Sequence, residues 1–329
     1  MENSKPSSTS SFDMSLFLRR LALFLLPIAL LAVGVETYVR HIPNSYRIKQ
    51  QTMEKMADST ETVILGNSHA YSGIRPELLP GHAINLANVS QTTNLDLALL
   101  QRCIRHCPQL HDVIMVFDNS NLCDQPMEKT DEWFRITYYT LYMNRLGGHN
   151  PYLSRYGLEL LHFQSLQGKI KHWQQQQHPD CTPLGWDTSN SFEARQALRT
   201  EASLTQDSTT WDSLQAVTKL ARHHLQDEAV ARLNINNVVE MARLCREHGI
   251  RFTLLCTPVR PDYDAGIPPK QQDLIWQAHH ICHTRYGAIT LDLSRDATFT
   301  ALEYFDPDHL TQSGANHLTQ ILRSSLTIQ

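Results

Sequence analysis

The chain has little of what marks several large protein classes. It has no CxxC pair, so a zinc ribbon has no support. His279 and His283 stand four apart on a predicted helix without the Glu of an HExxH site, so they read as a solvated or partly buried face. His223-His224 reads the same way. Excess charge is absent too: 29 Lys+Arg against 33 Asp+Glu leaves −4, which argues against a protein built to grip nucleic acid. Thirteen Gly and 15 Pro in 329 residues exclude collagen-like or low-complexity architecture, and no internal repeat is visible. Seven Cys is an odd number, so a complete disulfide framework within one chain is excluded. Cys103 and Cys107, four apart on a predicted helix, read as small core residues.

A 41% hydrophobic fraction is enough to build a core, and the length allows one large domain or two ordinary ones. The apolar residues are unevenly spread. Leu21–Val35 is an uncharged run, and Ser15–Tyr38 spans a bilayer core of about 30 Å if Arg19 and Arg20 snorkel. Those arginines precede the run and favour a cytoplasmic N-terminus. Ala32-Val33-Gly34 offers small residues for signal cleavage, but no obvious mature start and no lipobox cysteine follow. The reading is therefore a cytoplasmic tail (1–14), an uncleaved anchor (15–38), a polar linker (39–60) and an extracytoplasmic, periplasmic domain (61–329).

Within that domain, strand-length apolar runs alternate with helical patterns. The strands are 61–66, 83–85, 112–117, 250–258 and 288–293. The helices cover 95–106, 229–248, 271–286 and about 313–326, two of them closed by Gly249 and Gly287. This alternation predicts a three-layer, flavodoxin-like α/β fold with about five parallel strands. Residues 119–228 break it. They are rich in aromatics, then in Gln and His, and read as a helical insertion at the sheet edge, either a structural cap or a substrate lid.

Two short motifs carry chemistry. Gly66-Asn67-Ser68-His69 ends the first strand, where a turn exposes a Ser among backbone N–H donors. Asp306-Pro307-Asp308-His309 precedes the last helix. An Asp three residues before a His can reach its Nδ1 and leave Nε2 to take a proton from a Ser hydroxyl. Asp306 suits that role better than Asp308, whose place beside His309 reaches Nδ1 less naturally. His69 either contacts substrate or caps its turn, while Tyr71, Ser72 and Arg75 shape the first helix.

The Gly-Asn-Ser and Asp-x-x-His blocks, in that order and placement, resemble those of the SGNH (GDSL-like) hydrolase superfamily. The resemblance implies a catalytic triad of Ser68, Asp306 and His309. It places oxyanion donors at Asn119 after the third strand, and at Ala87 or Asn88 where the family has a Gly. It implies no cofactor and no metal. With the anchor, it is similar in arrangement to envelope proteins such as those of alginate O-acetylation. The implied substrate is an acylated cell-envelope glycan or polymer, with a membrane-bound O-acyltransferase as the implied partner and no nucleic acid. Two classes follow: a serine acyl-esterase or O-acyltransferase working through an acyl-Ser68, or a catalytically silent domain that binds glycan or scaffolds such a transferase.

Overall fold

The computed structural model describes residues 13–150, 152–162, 166, 170, 174, 179–189 and 213–327. The expectations for Phe163, Trp173, the Gln run beyond Gln174 and the polar stretch after Ser189 lie outside those residues.

Five all-parallel strands form the sheet: β1 (Thr62–Leu65), β2 (Ala83–Asn85), β3 (Asp112–Val116), β4 (Arg251–Cys256) and β5 (Ile289–Asp292). Their order is β2-β1-β3-β4-β5, with Val63 opposite both Ile84 and Val113. This is the flavodoxin-like order, in which the connections change direction beside β1 and the carboxyl ends of β1 and β3 share a crevice. The apolar runs are continuous because both faces of the central strands are buried.

Alternate residues feed two cores. Val63, Leu65, Val113, Met115 and Leu254 pack with Leu99 and Cys103 of the helix Thr93–His106, and with Val238 and Met241 of the helix Glu228–Glu247. Ile64, Ile114, Val116 and Leu255 face the other way, onto Ala70 of α3 (Ser68–Gly73) and Leu318 and Leu322 of the last helix, Gln312–Thr327. Each such aliphatic side chain contributes about 1.5–3 kcal/mol when fully buried. The two cores make the three layers.

Two expected boundaries change. The N-terminal apolar helix, α1 (Met14–His41), is long and apolar enough to cross a membrane, as a secretion signal also would be. Its last turns do not hang free, because Glu36 and Val39 are buried against the domain. Residues 39–60 are likewise no linker. They complete α1 and form α2 (Ser45–Lys55), whose Tyr46 and Met53 enter the main core. A helix with only a few apolar side chains reads as polar in sequence but buries them on one face.

The insertion is not confined to one edge. Asn119–Cys123 is a short helix capped by Asp118, and Ile136–Tyr142 packs on α2. Leu184 accepts a hydrogen bond from Asn85 N at the edge of β2, and the helix Ser213–Arg222 reaches the far side of the crevice. All seven cysteines are free and buried, Cys103 and Cys107 among them.

The tightest point of the crevice is Gly66, between β1 and Ser68. Its φ is +131°, and a Cβ there would lie 3.1 Å from Ala70 Cβ and 3.2 Å from Val116 Cβ. Only glycine adopts this backbone cheaply. Gly66→Ala should lower the stability of the domain by about 1–3 kcal/mol, read as a lower denaturant midpoint. An unchanged midpoint would mean that the turn relaxes freely.

Candidate active site

β1 ends in the Gly66 turn, and Ser68 opens α3 there. Asn67 is the N-cap: its Oδ1 accepts from His69 N at 3.0 Å, while its Nδ2 donates to Ser120 Oγ at 2.8 Å. The turn is also held from behind, since Gly66 N donates to Asp96 Oδ1 at 2.9 Å. Burial pushes the Asp96 carboxyl up to about 7. Three backbone and side-chain contacts thus fix where the Ser68 hydroxyl stands.

The loop before the last helix brings the second motif to it. Asp306 Oδ1 accepts from the backbone N–H groups of Asp308 (3.0 Å) and His309 (2.9 Å), forming a local Asx-type turn. His309 Nε2 lies 2.9 Å from Ser68 Oγ. Its Nδ1 lies 3.0 Å from Asp306 Oδ1 and 3.0 Å from Asp308 Oδ1. The expected Ser, His and Asp are therefore brought together, but distance does not single out Asp306. Its first oxygen shapes the turn as well as meeting the imidazole. Asp308 is the more deeply buried of the two.

Two groups from the insertion close this side, and nothing in the sequence pattern signals them. Lys219 Nζ pairs with Asp308 Oδ1 at 2.8 Å and Asp306 Oδ2 at 3.1 Å. It stands 3.4 Å from His309 Nδ1, a contact between two donors that the shared carboxylates enforce. His223, which reads in sequence as part of a solvated or partly buried face, is partly buried and turned inward. Its Nδ1 is 2.8 Å from the Tyr263 hydroxyl and 3.5 Å from Asp308 Oδ2. Burial lowers its pKa to about 4, so it is neutral. His224 is exposed, as expected.

His69 does more than cap its turn, and it also lines the adjoining cavity. Its ring is buried, with Nδ1 donating to Asp118 Oδ2 at 2.7 Å and Nε2 facing Asp308 Oδ2 at 3.4 Å. Thr257, just beyond β4, donates to the same Asp118 oxygen at 3.0 Å. Burial disfavours the imidazolium, but the Asp118 and Asp308 carboxylates outweigh it and push the pKa up to about 10. Burial alone would also raise Asp118 and Asp308; the imidazolium of His69 and, for Asp308, that of His309 bring them below the usual range. His309 follows the same logic. Burial opposes its charge, the two aspartates more than compensate, and its pKa rises.

The charges in this network are three carboxylates (Asp118, Asp306, Asp308) against two fixed cations (His69, Lys219), a balance of −1. A proton arriving on His309 brings it to zero. The surroundings are therefore arranged for an imidazolium at His309, the species formed when it takes the Ser68 proton. His69, Asp308 and His309 also stand close enough to share a metal ion.

The proposed oxyanion donors fare unevenly. Asn119 Oδ1 accepts from Gln271 Nε2 at 2.6 Å, and its Nδ2 is 3.3 Å from both His223 O and the Tyr263 hydroxyl. Ala87 N donates to Asn85 Oδ1 at 3.0 Å. Both groups are already engaged within the fold. Asn88 Oδ1 accepts from Ser45 Oγ at 3.0 Å, and its buried Nδ2 has no partner. Of the three, Asn88 keeps an open donor. The surrounding loop is clamped by α2, where buried Lys49 hydrogen-bonds Ala87 O and lies over the Tyr71 ring.

The remaining expectations are settled by contacts. Tyr71 donates to Asp180 O and Ser72 to Ser68 O, while Arg75 binds Asn316. His279 sits 3.4 Å from Cys256 Sγ and 3.1 Å from Phe117 O, and His283 lies 2.9 Å from Ala288 O. A cavity of about 610 Å³ borders the network, and His69, Asp118, Trp276 and Arg295 are among the residues that line it.

No family model matches the chain, and no curated protein matches it. A solved structure from Streptococcus pneumonia, provisionally described as a platelet activating factor, aligns with a TM-score of 0.39. It is 11% identical, over 93% of this chain and 99% of its own.

The buried His69 sets a pH signature for stability. Unfolded, it titrates near the ordinary His value of 6.5; folded, near 10. Its contribution is complete below about 6.5 and fades as pH rises toward 10. Asp118 and Asp308 act in the opposite sense, contributing above the ordinary Asp value of 3.8 and losing that contribution in acid. Unfolding free energy measured across pH should therefore decline from pH 6.5 to 10. His69→Gln should flatten that slope; a wild-type slope in the variant would remove His69 as its source.

Proposed function

We propose that the chain is a membrane-anchored serine acyl-esterase or O-acyltransferase of the SGNH type, acting on an acylated cell-envelope glycan or polymer. The observation that carries this reading is the Ser68 hydroxyl 2.9 Å from His309 Nε2, with two carboxylates at 3.0 Å from Nδ1. His309 takes the Ser68 proton as Oγ attacks the ester carbonyl. The tetrahedral intermediate collapses, the alcohol leaves with the proton from His309, and an acyl-Ser68 remains. Water, or a sugar hydroxyl deprotonated by the same imidazole, then attacks the acyl carbon and restores the serine. Asn88 Nδ2, which is buried without a partner, and the first N–H of α3 would serve as the oxyanion donors. Anchoring rests on the apolar α1, and an extracytoplasmic domain on Arg19 and Arg20 preceding its uncharged run. A membrane-bound O-acyltransferase would supply the acyl group in the transferase version.

One observation favours a second reading, a silent domain that binds glycan or scaffolds a transferase: Asn119 and Ala87 are both engaged away from an oxyanion. The two differ in the reactivity of Ser68. Full-length protein in detergent should label with a serine-directed fluorophosphonate and hydrolyse an aryl acetate. Ser68→Ala should abolish labelling and lower turnover by roughly a thousand-fold or more. A folded wild type that neither labels nor turns over would sink the enzyme reading and leave the silent one.

The pH profile tests the base. His309 must be neutral to accept a proton and its pKa is raised, so kcat/KM should climb with pH through a limb above the ordinary His value of 6.5. Removing the Lys219 cation in Lys219→Gln exposes His309 to unscreened carboxylates. The limb should then move to still higher pH. A limb that stays put, or moves down, would show that Lys219 does not bear on the base.

A further inference from the structure

Glu36 lies at the end of the apolar run of α1, where a carboxylate would be costly in lipid. It is buried in protein instead. Its Oε1 accepts from Glu159 N at 3.1 Å and its Oε2 from Leu160 N at 3.0 Å. Arg40, paired with Glu36 at 2.6 Å, also donates to Gly157 O at 2.8 Å. One short stretch of the insertion, 152–162, is thus fastened to the membrane-facing end of the domain by three backbone hydrogen bonds.

That stretch carries an unusual surface. Tyr152 is 85% exposed, Leu153 86%, Leu161 57% and Leu158 44%. Scattered exposed leucines need no explanation, but four large apolar side chains within ten residues, beside an apolar helix, do. Cations adjoin them: exposed Arg145 lies 6.0 Å from the Tyr152 ring centroid, and exposed Arg155 packs on Trp133. Apolar and aromatic tips flanked by arginines match the boundary between headgroups and acyl chains.

We infer that residues 152–161 form a foot that dips Tyr152, Leu153, Leu158 and Leu161 into the outer face of the bilayer beside α1, so that the domain stands on the lipid surface in one orientation. The inference rests on the anchored reading, and goes beyond it by assigning a lipid contact to the insertion. The variants Leu153→Cys, Leu161→Cys and Leu31→Cys can each carry an environment-sensitive fluorophore, because the native cysteines are all buried. The protein is the full chain in phosphatidylcholine vesicles with and without a nitroxide near the headgroup. The foot requires at least a twofold loss of fluorescence at Leu153 and Leu161 with the nitroxide lipid. Quenching at Leu31 alone overturns the foot and leaves the anchor standing. Quenching at none of the three overturns both. Replacement of exposed residues keeps the fold intact, and a far-ultraviolet spectrum identical to wild type verifies it.

Discussion

Everything at the carboxyl edge of the sheet depends on the ion network around Asp308. This carboxylate is buried beneath the loop that carries His309, and a bare charge there would cost several kcal/mol. It is kept ionised by cations from two distant parts of the chain: His69 from the turn after β1 and Lys219 from the insertion. Asp118 at the end of β3 completes the arrangement by holding the other nitrogen of His69. The network therefore joins β1, β3, the insertion and the C-terminal loop, which are the four pieces that must agree for Ser68 to face His309.

This arrangement divides labour between two adjacent aspartates. Asp306 organises its own loop through two backbone N–H groups, while Asp308 connects that loop to the rest of the crevice. His309 draws on both. A site with one carboxylate would have to choose between shaping the loop and polarising the imidazole; here the roles overlap.

Much of the fold was legible because its signals are local. Strands buried on both faces must be continuous apolar runs, so β1, β3 and β4 stood out, and Gly287 with its φ of +72° stops its helix as a left-handed cap should. Ser68 and the Asp306–His309 block were legible for the same reason, each being a short motif at a strand or helix end. Lys219 was not, because its significance depends on a fold that brings it to residues almost ninety positions later. Asp118 lay in plain view after β3, but its role as the His69 partner has no local signature. The α2 segment was misread since Tyr46 and Met53 are sparse among polar neighbours, and only packing shows that they share a face.

Glu36 has a consequence for reach. A flexible tether of about 20 residues would let a catalytic domain wander roughly 25 Å from its anchor, sampling whatever polymer drifted past. With the last turns of α1 clamped by Glu159, Leu160 and Gly157, that leash is absent. An anchored Ser68 would then sit at one height above the lipid, and the polymer would have to be brought to it.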